Sequence, residues 1–174
     1  MTVLILFESI EGQTAKIAGF VEDLVRASGH DVQVVDVGSA AEVSLDAASH
    51  VILAASVHQR RHPRMFEATV TAQSDALDRL PTLMLSVSLN AAFEEGREEA
   101  QDYLDEMKMR TGFHPTQEAL IAGAVKTGKY DYFAMQVVRF VLLRGRDVDQ
   151  NATEHEFTDW DALRETVTGF LNNA

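Results

Sequence analysis

The sequence predicts an α/β fold in which a five-stranded parallel sheet, of strand order 2-1-3-4-5, carries helices on both faces. Two patterns support this prediction. Five apolar runs of strand length occur along the 174 residues, and longer segments with helical spacing separate them. Strands buried on both faces are apolar throughout, and each connection is long enough for a right-handed crossover. We expect residues 1–174 to form one doubly wound domain.

The five apolar runs predict strands over 3–7, 32–37, 50–55, 82–87 and 120–125. Helical spacing of apolar residues predicts helices over 14–28, 63–77, 94–110, 130–143 and 158–171. Gly29 ends the first helix, and Pro63 stands at the favoured first turn of the second. Thr158 and Asp161 have the spacing of a capping box, which predicts that Thr158 caps the last helix.

Composition excludes several classes of function. The chain has 15 Lys and Arg against 27 Asp and Glu, a formal net charge of −12, which argues against binding to nucleic acid. The absence of cysteine excludes disulfides, thiolate metal sites and cysteine nucleophiles, and we predict no metal site. No protein nucleophile stands out either, so we predict no catalytic side chain. Any redox chemistry therefore has to come from a cofactor.

The apolar start of the chain is not expected to be a signal peptide. It has no basic leader and is followed at once by Glu8 and Glu11. No segment reaches the roughly 20 apolar residues that span a bilayer. We therefore expect a cytoplasmic protein.

Open α/β sheets bind ligands at the carboxyl ends of their strands, where the strand order reverses. This places a site between the loops that follow strands 1, 3 and 4. The first of these loops, from Glu8 to Thr14, has hydroxyls at Ser9 and Thr14, a glycine at position 12 and the free N–H groups of a helix start. Such a loop suits one phosphate group, and a plain helix cap is the alternative. It matches neither the dinucleotide nor the nucleoside triphosphate motif.

The segment from Phe7 to Thr14 resembles the flavodoxin phosphate loop, (S/T)-x-T-G-x-T, with Glu11 in place of the third-position hydroxyl. Within that superfamily the chain is most similar to the quinone (menaquinone)-dependent protoporphyrinogen oxidase family, in which an acidic residue precedes Gly-Gln-Thr. The ends of strands 3, 4 and 5, the helix over 130–143 and residues 157–160 are also similar. The resemblance thus implies a flavodoxin-like fold over nearly the whole chain. It includes a C-terminal extension over about 144–174, with a last helix, that simple electron-carrier flavodoxins do not share.

The resemblance implies that the cofactor is FMN. Its phosphate would lie in the first loop and its ring between the loops after strands 3 and 4. The implied cofactor-binding residues are Ser9, Ile10, Glu11, Gly12, Gln13, Thr14, Ser56, Val57, His58, Ser86, Val87, Ser88 and Asn90. Flavodoxins often place the ring between Trp and Tyr, whereas these loops offer only His58, His62 and Phe93.

The implied function is that of an FMN-dependent oxidoreductase of haem biosynthesis. It would take electrons from protoporphyrinogen IX, a reduced tetrapyrrole, and pass them to a respiratory quinone. The alternative is a flavodoxin-type electron-transfer protein without its own substrate, whose acidic surface would steer it onto a basic partner.

Three basic residues are candidates for binding the carboxylates of a substrate: Arg60, Arg61 and Lys126. For the cluster from His58 to His62, a solvated loop that offsets local acidity is an equal alternative. The acidic helix over 94–110 is interpreted as a solvated face without a role in the site.

The helix over 130–143 is unusually apolar for an outer helix. One interpretation is a core helix or the face of a homodimer. The other is contact of residues 130–144 with the inner face of the cell membrane, helped by basic residues nearby.

Overall fold

A central sheet of five parallel strands organises the fold. The computed structural model describes residues 1–39, 42–126 and 154–173. The sheet strands are β1 (Thr2–Glu8), β2 (Asp31–Asp36), β3 (His50–Ser56), β4 (Thr82–Ser88) and β5 (Gln117–Ala122). They lie in the order β2-β1-β3-β4-β5 and every pair is parallel. The predicted fold class and strand order are confirmed.

Helices cover both faces of this sheet. They are α1 (Gln13–Ala27), α2 (Arg64–Ala72), α3 (Ser74–Leu77), α4 (Arg97–Thr111) and α5 (Trp160–Asn172). Because side chains alternate along a strand, Val3 and Ile5 of β1 pack with α1 and α5. Leu4 and Leu6 point the other way and pack with α2, α3 and α4.

The fifth strand begins and ends three residues earlier than the sequence predicts. β5 ends at Ala122, and the N–H of Gly123 then donates to the carbonyl of Ser88 at 3.0 Å. The next residues form β6 (Ala124–Lys126), which pairs antiparallel with β7 (Glu154–Glu156). Since β5 lies at the sheet edge, it does not have to be apolar throughout, and the apolar run was a poor guide to its limits.

The start of α5 also differs from its prediction. The side chain of Asp159, and not that of Thr158, caps the helix by accepting from the N–H of Ala162 at 3.0 Å. The Thr158 hydroxyl instead donates to the carbonyl of Ala122 at 2.6 Å and accepts from Nε2 of Gln13 at 2.9 Å. Thr158 therefore joins β5 to α1, and the predicted capping box is wrong.

Two other predicted helices are interrupted. The one over 63–77 divides at Gln73 into α2 and α3, and the one over 94–110 opens with a 3-10 turn at Glu94–Gly96 before α4 begins.

The apolar helix over 130–143, and with it the dimer and membrane alternatives, lies outside the described residues. Within the described ranges, no helix is both long and apolar enough to cross a membrane.

Candidate functional site

A cavity of about 650 Å³ opens at the carboxyl ends of the strands. Loops after β1, β3 and β4 form its walls together with β6 and one face of α4. The lining residues are Ser9, Ile10, Glu11, Gln13, Thr14, Ser56, Val57, His58, Gln59, Arg60, Val87, Ser88, Leu89, Asn90, Glu99, Tyr103, Gly123, Ala124, Val125 and Lys126. All of the predicted cofactor-binding residues except Gly12 and Ser86 are among them.

The turn between β1 and α1 has a backbone conformation that is suited to binding an anion. Gly12 has φ of 101°, a left-handed conformation that favours glycine, and its N–H donates to Oγ of Ser9 at 3.0 Å. α1 begins at the next residue and has no acidic residue in its first turn. Its free N–H groups and its dipole favour a negative charge at this point.

Two buried hydroxyls in the cavity wall have no hydrogen-bond partner within residues 1–39, 42–126 and 154–173. Thr14 is 1% exposed and its Oγ1 is unpartnered, as is Oγ of Ser56. A buried hydroxyl without a partner costs free energy that a ligand atom can recover. These two positions therefore point to a polar ligand.

The acidic residue at the end of β1 does not oppose an anion here. Oε2 of Glu8 accepts from the backbone N–H of Phe66 at 2.7 Å, at the start of α2. Burial raises the pKa of Glu8, the hydrogen bond from Phe66 lowers it, and the nearby carboxylate of Asp36 raises it, with a net upward shift. Glu8 thus binds the start of the neighbouring helix and is not among the residues that line the cavity.

A basic side chain crosses this same loop. Nζ of Lys126 donates to the backbone carbonyl of Glu11 at 2.7 Å. A Cβ built on Gly12 would lie 3.5 Å from the same nitrogen. The sequence suggested Lys126 as a substrate-binding residue, and the structure places it against the first loop.

The loop after β3 makes a tight turn at the other side of the cavity. His58 and Arg61 exchange two backbone hydrogen bonds, of 2.9 and 3.1 Å, and Gln59 and Arg60 between them both have positive φ, 49° and 65°. This is the pattern of a type I′ turn, which normally uses glycine or asparagine at those positions.

Two ion pairs hold this turn against helices. The guanidinium of Arg60 pairs with Glu99 of α4 at 2.6 Å, and that of Arg61 pairs with Glu67 of α2 at 2.6 Å. Glu67 also binds Arg110 at 2.7 Å. Arg61 consequently does not line the cavity, whereas Arg60 does.

A tyrosine of α4 contributes an aromatic wall that sequence reasoning missed. The Arg60 guanidinium lies 5.4 Å from the centre of the Tyr103 ring, and Asn90 donates to Glu99 at 2.7 Å and to the Tyr103 hydroxyl at 3.2 Å. Burial and the adjacent Glu99 raise the pKa of Tyr103 to about 12. The tyrosine is therefore a neutral hydrogen-bonding group at neutral pH.

Two of the three predicted ring-contacting side chains lie elsewhere. Phe93 is buried against Phe157, with ring centres 5.7 Å apart. His62 is buried under the sheet, where its Nε2 lies 3.0 Å from Oγ of Ser86. His58 alone of the three lines the cavity.

Comparison with known proteins identifies relatives across most of the chain. A family model described as a flavodoxin domain matches residues 4–151. Protoporphyrinogen IX dehydrogenase [quinone] of Escherichia coli K12 is 25% identical over 164 residues, which cover 94% of this chain and 91% of the relative. The protein of the same name from Leishmania major is 23% identical and aligns over 96% of this chain and 73% of its own length.

Solved structures with the same fold include the flavodoxin of Streptococcus pneumoniae TIGR4. It covers the whole of both chains with a TM-score of 0.56 at 17% identity. Rubredoxin oxygen:oxidoreductase of Desulfovibrio gigas aligns over 98% of this chain and 37% of its own, with a TM-score of 0.53 at 14% identity. At these identities the likeness is one of fold.

Proposed function

Because the chain belongs to the flavodoxin-domain family, we propose that it is an FMN-dependent oxidoreductase of the protoporphyrinogen IX dehydrogenase type. It takes electrons from a reduced tetrapyrrole and passes them to a respiratory quinone. The curated relatives that carry this name support the proposal, since the Escherichia coli protein aligns with nearly the full length of this chain. FMN, when bound, supplies the electron chemistry that the side chains lack.

One observation carries the proposal: the buried, unpartnered hydroxyl of Thr14 at the N-terminus of α1. The side chain faces the cavity beside the left-handed Gly12 and the free N–H groups of the first helical turn. A terminal phosphate accepts hydrogen bonds from all of these donors at once. In this turn the hydroxyls of Ser9 and Thr14 would hold the phosphate, and the left-handed Gly12 would give the turn its shape.

The rest of the cavity fits a flat ring system. Its lining includes the short side chains of Ser56 and Ser88, the last residues of β3 and β4, and those of Val57 and Val87 beside them. These residues would orient the ring and exclude water from one side of it. The unpartnered Oγ of Ser56 supplies a polar group there.

The substrate side of the cavity is formed by the turn after β3 and by α4. Arg60 is the cation at this opening, with a side chain that is 68% exposed and paired with Glu99. A carboxylate of a tetrapyrrole would approach this guanidinium in competition with Glu99. No side chain needs to act as a nucleophile.

Two measurements test the proposal. Purified protein is expected to be yellow and to release FMN when it is denatured. FMN-loaded protein mixed without oxygen with protoporphyrinogen IX is expected to lose its visible flavin absorbance within minutes and to regain it when a quinone is added. The same mixture without protein serves as the control.

A different result would favour the second candidate, an electron-transfer protein without its own substrate. The net charge of −12 supports that candidate because it suits docking onto a basic partner. Flavin that is unaffected by the porphyrinogen and reduced only by a partner reductase would replace the dehydrogenase assignment. Protein that binds no FMN would overturn both.

A further inference from the structure

Lys126 reaches the first loop from a distant part of the chain, at the end of a short strand. It is the last residue of β6, and its backbone lies opposite that of Glu154 of β7 in the small antiparallel ribbon. The ribbon starts from Gly123, which is fixed to β4 through its hydrogen bond to Ser88. From there the side chain extends to the Glu11 carbonyl, 2.7 Å from Nζ.

The ammonium group of Lys126 has no counter-charge in the described part of the chain. Of the two cations that line the cavity, Arg60 is paired with Glu99, whereas the hydrogen bond of Lys126 goes to a backbone carbonyl. Glu8 is turned towards α2. An ammonium group has three donors, so donors remain for a ligand next to the Glu11 carbonyl.

An independent observation points to a polar ligand in the same cavity. Thr14, which lines the cavity from the first turn of α1, is 1% exposed, and its hydroxyl has no hydrogen-bond partner among the described residues. Lys126 reaches the same turn, with its Nζ 3.5 Å from the position of a Cβ on Gly12. Both residues line the same cavity, where α1 begins.

We propose that the Lys126 ammonium is the counter-ion of the terminal phosphate of FMN, and that it makes the site select FMN over riboflavin. This inference rests on the proposed function and deepens it. A phosphate monoester carries close to two negative charges at neutral pH. In a chain with a net charge of −12, backbone donors alone would hold such a dianion against a repulsive field.

The test compares FMN with riboflavin, which has the same ring and no phosphate. Dissociation constants are measured by quenching of flavin fluorescence in the wild-type apo-protein and in K126M, K126R and K16M. Lys16 is the matched control, because it lies in the first turn of α1 but pairs with Glu156 outside the cavity. We expect K126M to weaken FMN binding roughly 10- to 100-fold, the range for a charge-assisted hydrogen bond.

Riboflavin binding by K126M is expected to stay within about twofold of the wild type, and K126R is expected to restore most of the FMN affinity. K16M should leave both affinities unchanged. A further readout needs no variant: raising the salt concentration should weaken FMN binding by the wild-type protein and leave riboflavin binding nearly constant.

Four results would overturn the inference. If K126M weakens both flavins equally, Lys126 only supports the fold of the loop. If K126M binds FMN as the wild type does, or salt affects both flavins alike, the phosphate has no counter-ion here. In these three cases the wild-type protein still binds FMN and the proposed function stands. Wild-type protein that binds no FMN removes the proposed function and the role of Lys126 together.

Discussion

Replacing Thr14 with valine should stabilise the apo-protein and weaken its binding of FMN. The hydroxyl of Thr14 is buried in the first turn of α1, and no group in the described part of the chain forms a hydrogen bond with it. Leaving such a group unpaired costs about 1–3 kcal/mol. Thr14→Val removes the hydroxyl, keeps the branched shape and should raise the free energy of unfolding by about 1–2 kcal/mol.

The matched control is Thr111→Val. Thr111 is also buried at the end of a helix, but its hydroxyl donates to the carbonyl of Met107 at 2.8 Å and accepts from the N–H of Phe113 at 3.3 Å. Losing those bonds should destabilise the protein by about 1 kcal/mol. The two substitutions are chemically identical and should change stability in opposite directions.

Urea denaturation of the apo-proteins measures the first effect, with the midpoint compared at constant slope. Fluorescence quenching measures the second, and FMN should bind Thr14→Val roughly tenfold more weakly or worse. A Thr14→Val protein that is less stable than the wild type would show that the hydroxyl already has a partner. An unchanged FMN affinity would show that it does not face the phosphate.

Two further predictions concern pH and substrate. Burial lowers the pKa of His62 to about 4 from its ordinary value of 6.5. The contribution of the neutral His62 to the free energy of unfolding should therefore be complete above pH 6.5, and about 3 kcal/mol should be lost as the pH drops towards 4. The replacement His62→Gln should flatten that fall in urea titrations, and an equal fall in both proteins would contradict the assignment. The replacement Arg60→Met should raise KM for the porphyrinogen about two- to fivefold, a small effect because an exposed ion pair with a substrate carboxylate contributes little binding free energy. The control Arg26→Met, which breaks the surface pair with Glu22, should leave KM unchanged. An unchanged KM in Arg60→Met would remove Arg60 from the substrate site.

The parts of the site that sequence reasoning found are those formed by adjacent residues. The turn from Ser9 to Thr14 joins a strand directly to a helix, so its hydroxyls and its glycine can be interpreted from local order alone. The strand order also follows from the pattern, because parallel strands with helical crossovers have few possible topologies. Each of these inferences needs only short-range information.

The residues that sequence reasoning missed lie at the cavity because of the direction in which α4 packs against the sheet. Glu99 and Tyr103 were interpreted as part of a solvated acidic helix, yet both line the cavity. The direction of α4 is set by the preceding 3-10 turn, in which Gly96 approaches Asn90 so closely that a Cβ would lie 2.4 Å from the Asn90 carbonyl oxygen. No periodicity in the sequence reports such a contact.

The basic side chains at the two ends of the cavity differ in whether a carboxylate already neutralises them, and this difference affects how each end would bind an anion. At the first loop Lys126 has no carboxylate partner among the described residues, and Glu8 is turned away. At the far side Arg60 is already paired with Glu99. An anion at the first loop gains a full ion pair, whereas one at Arg60 must displace a carboxylate and gains only the difference. This difference supports the proposed division of the cavity, in which the cofactor phosphate would bind tightly at the first loop and the substrate would bind exchangeably beside the turn after β3.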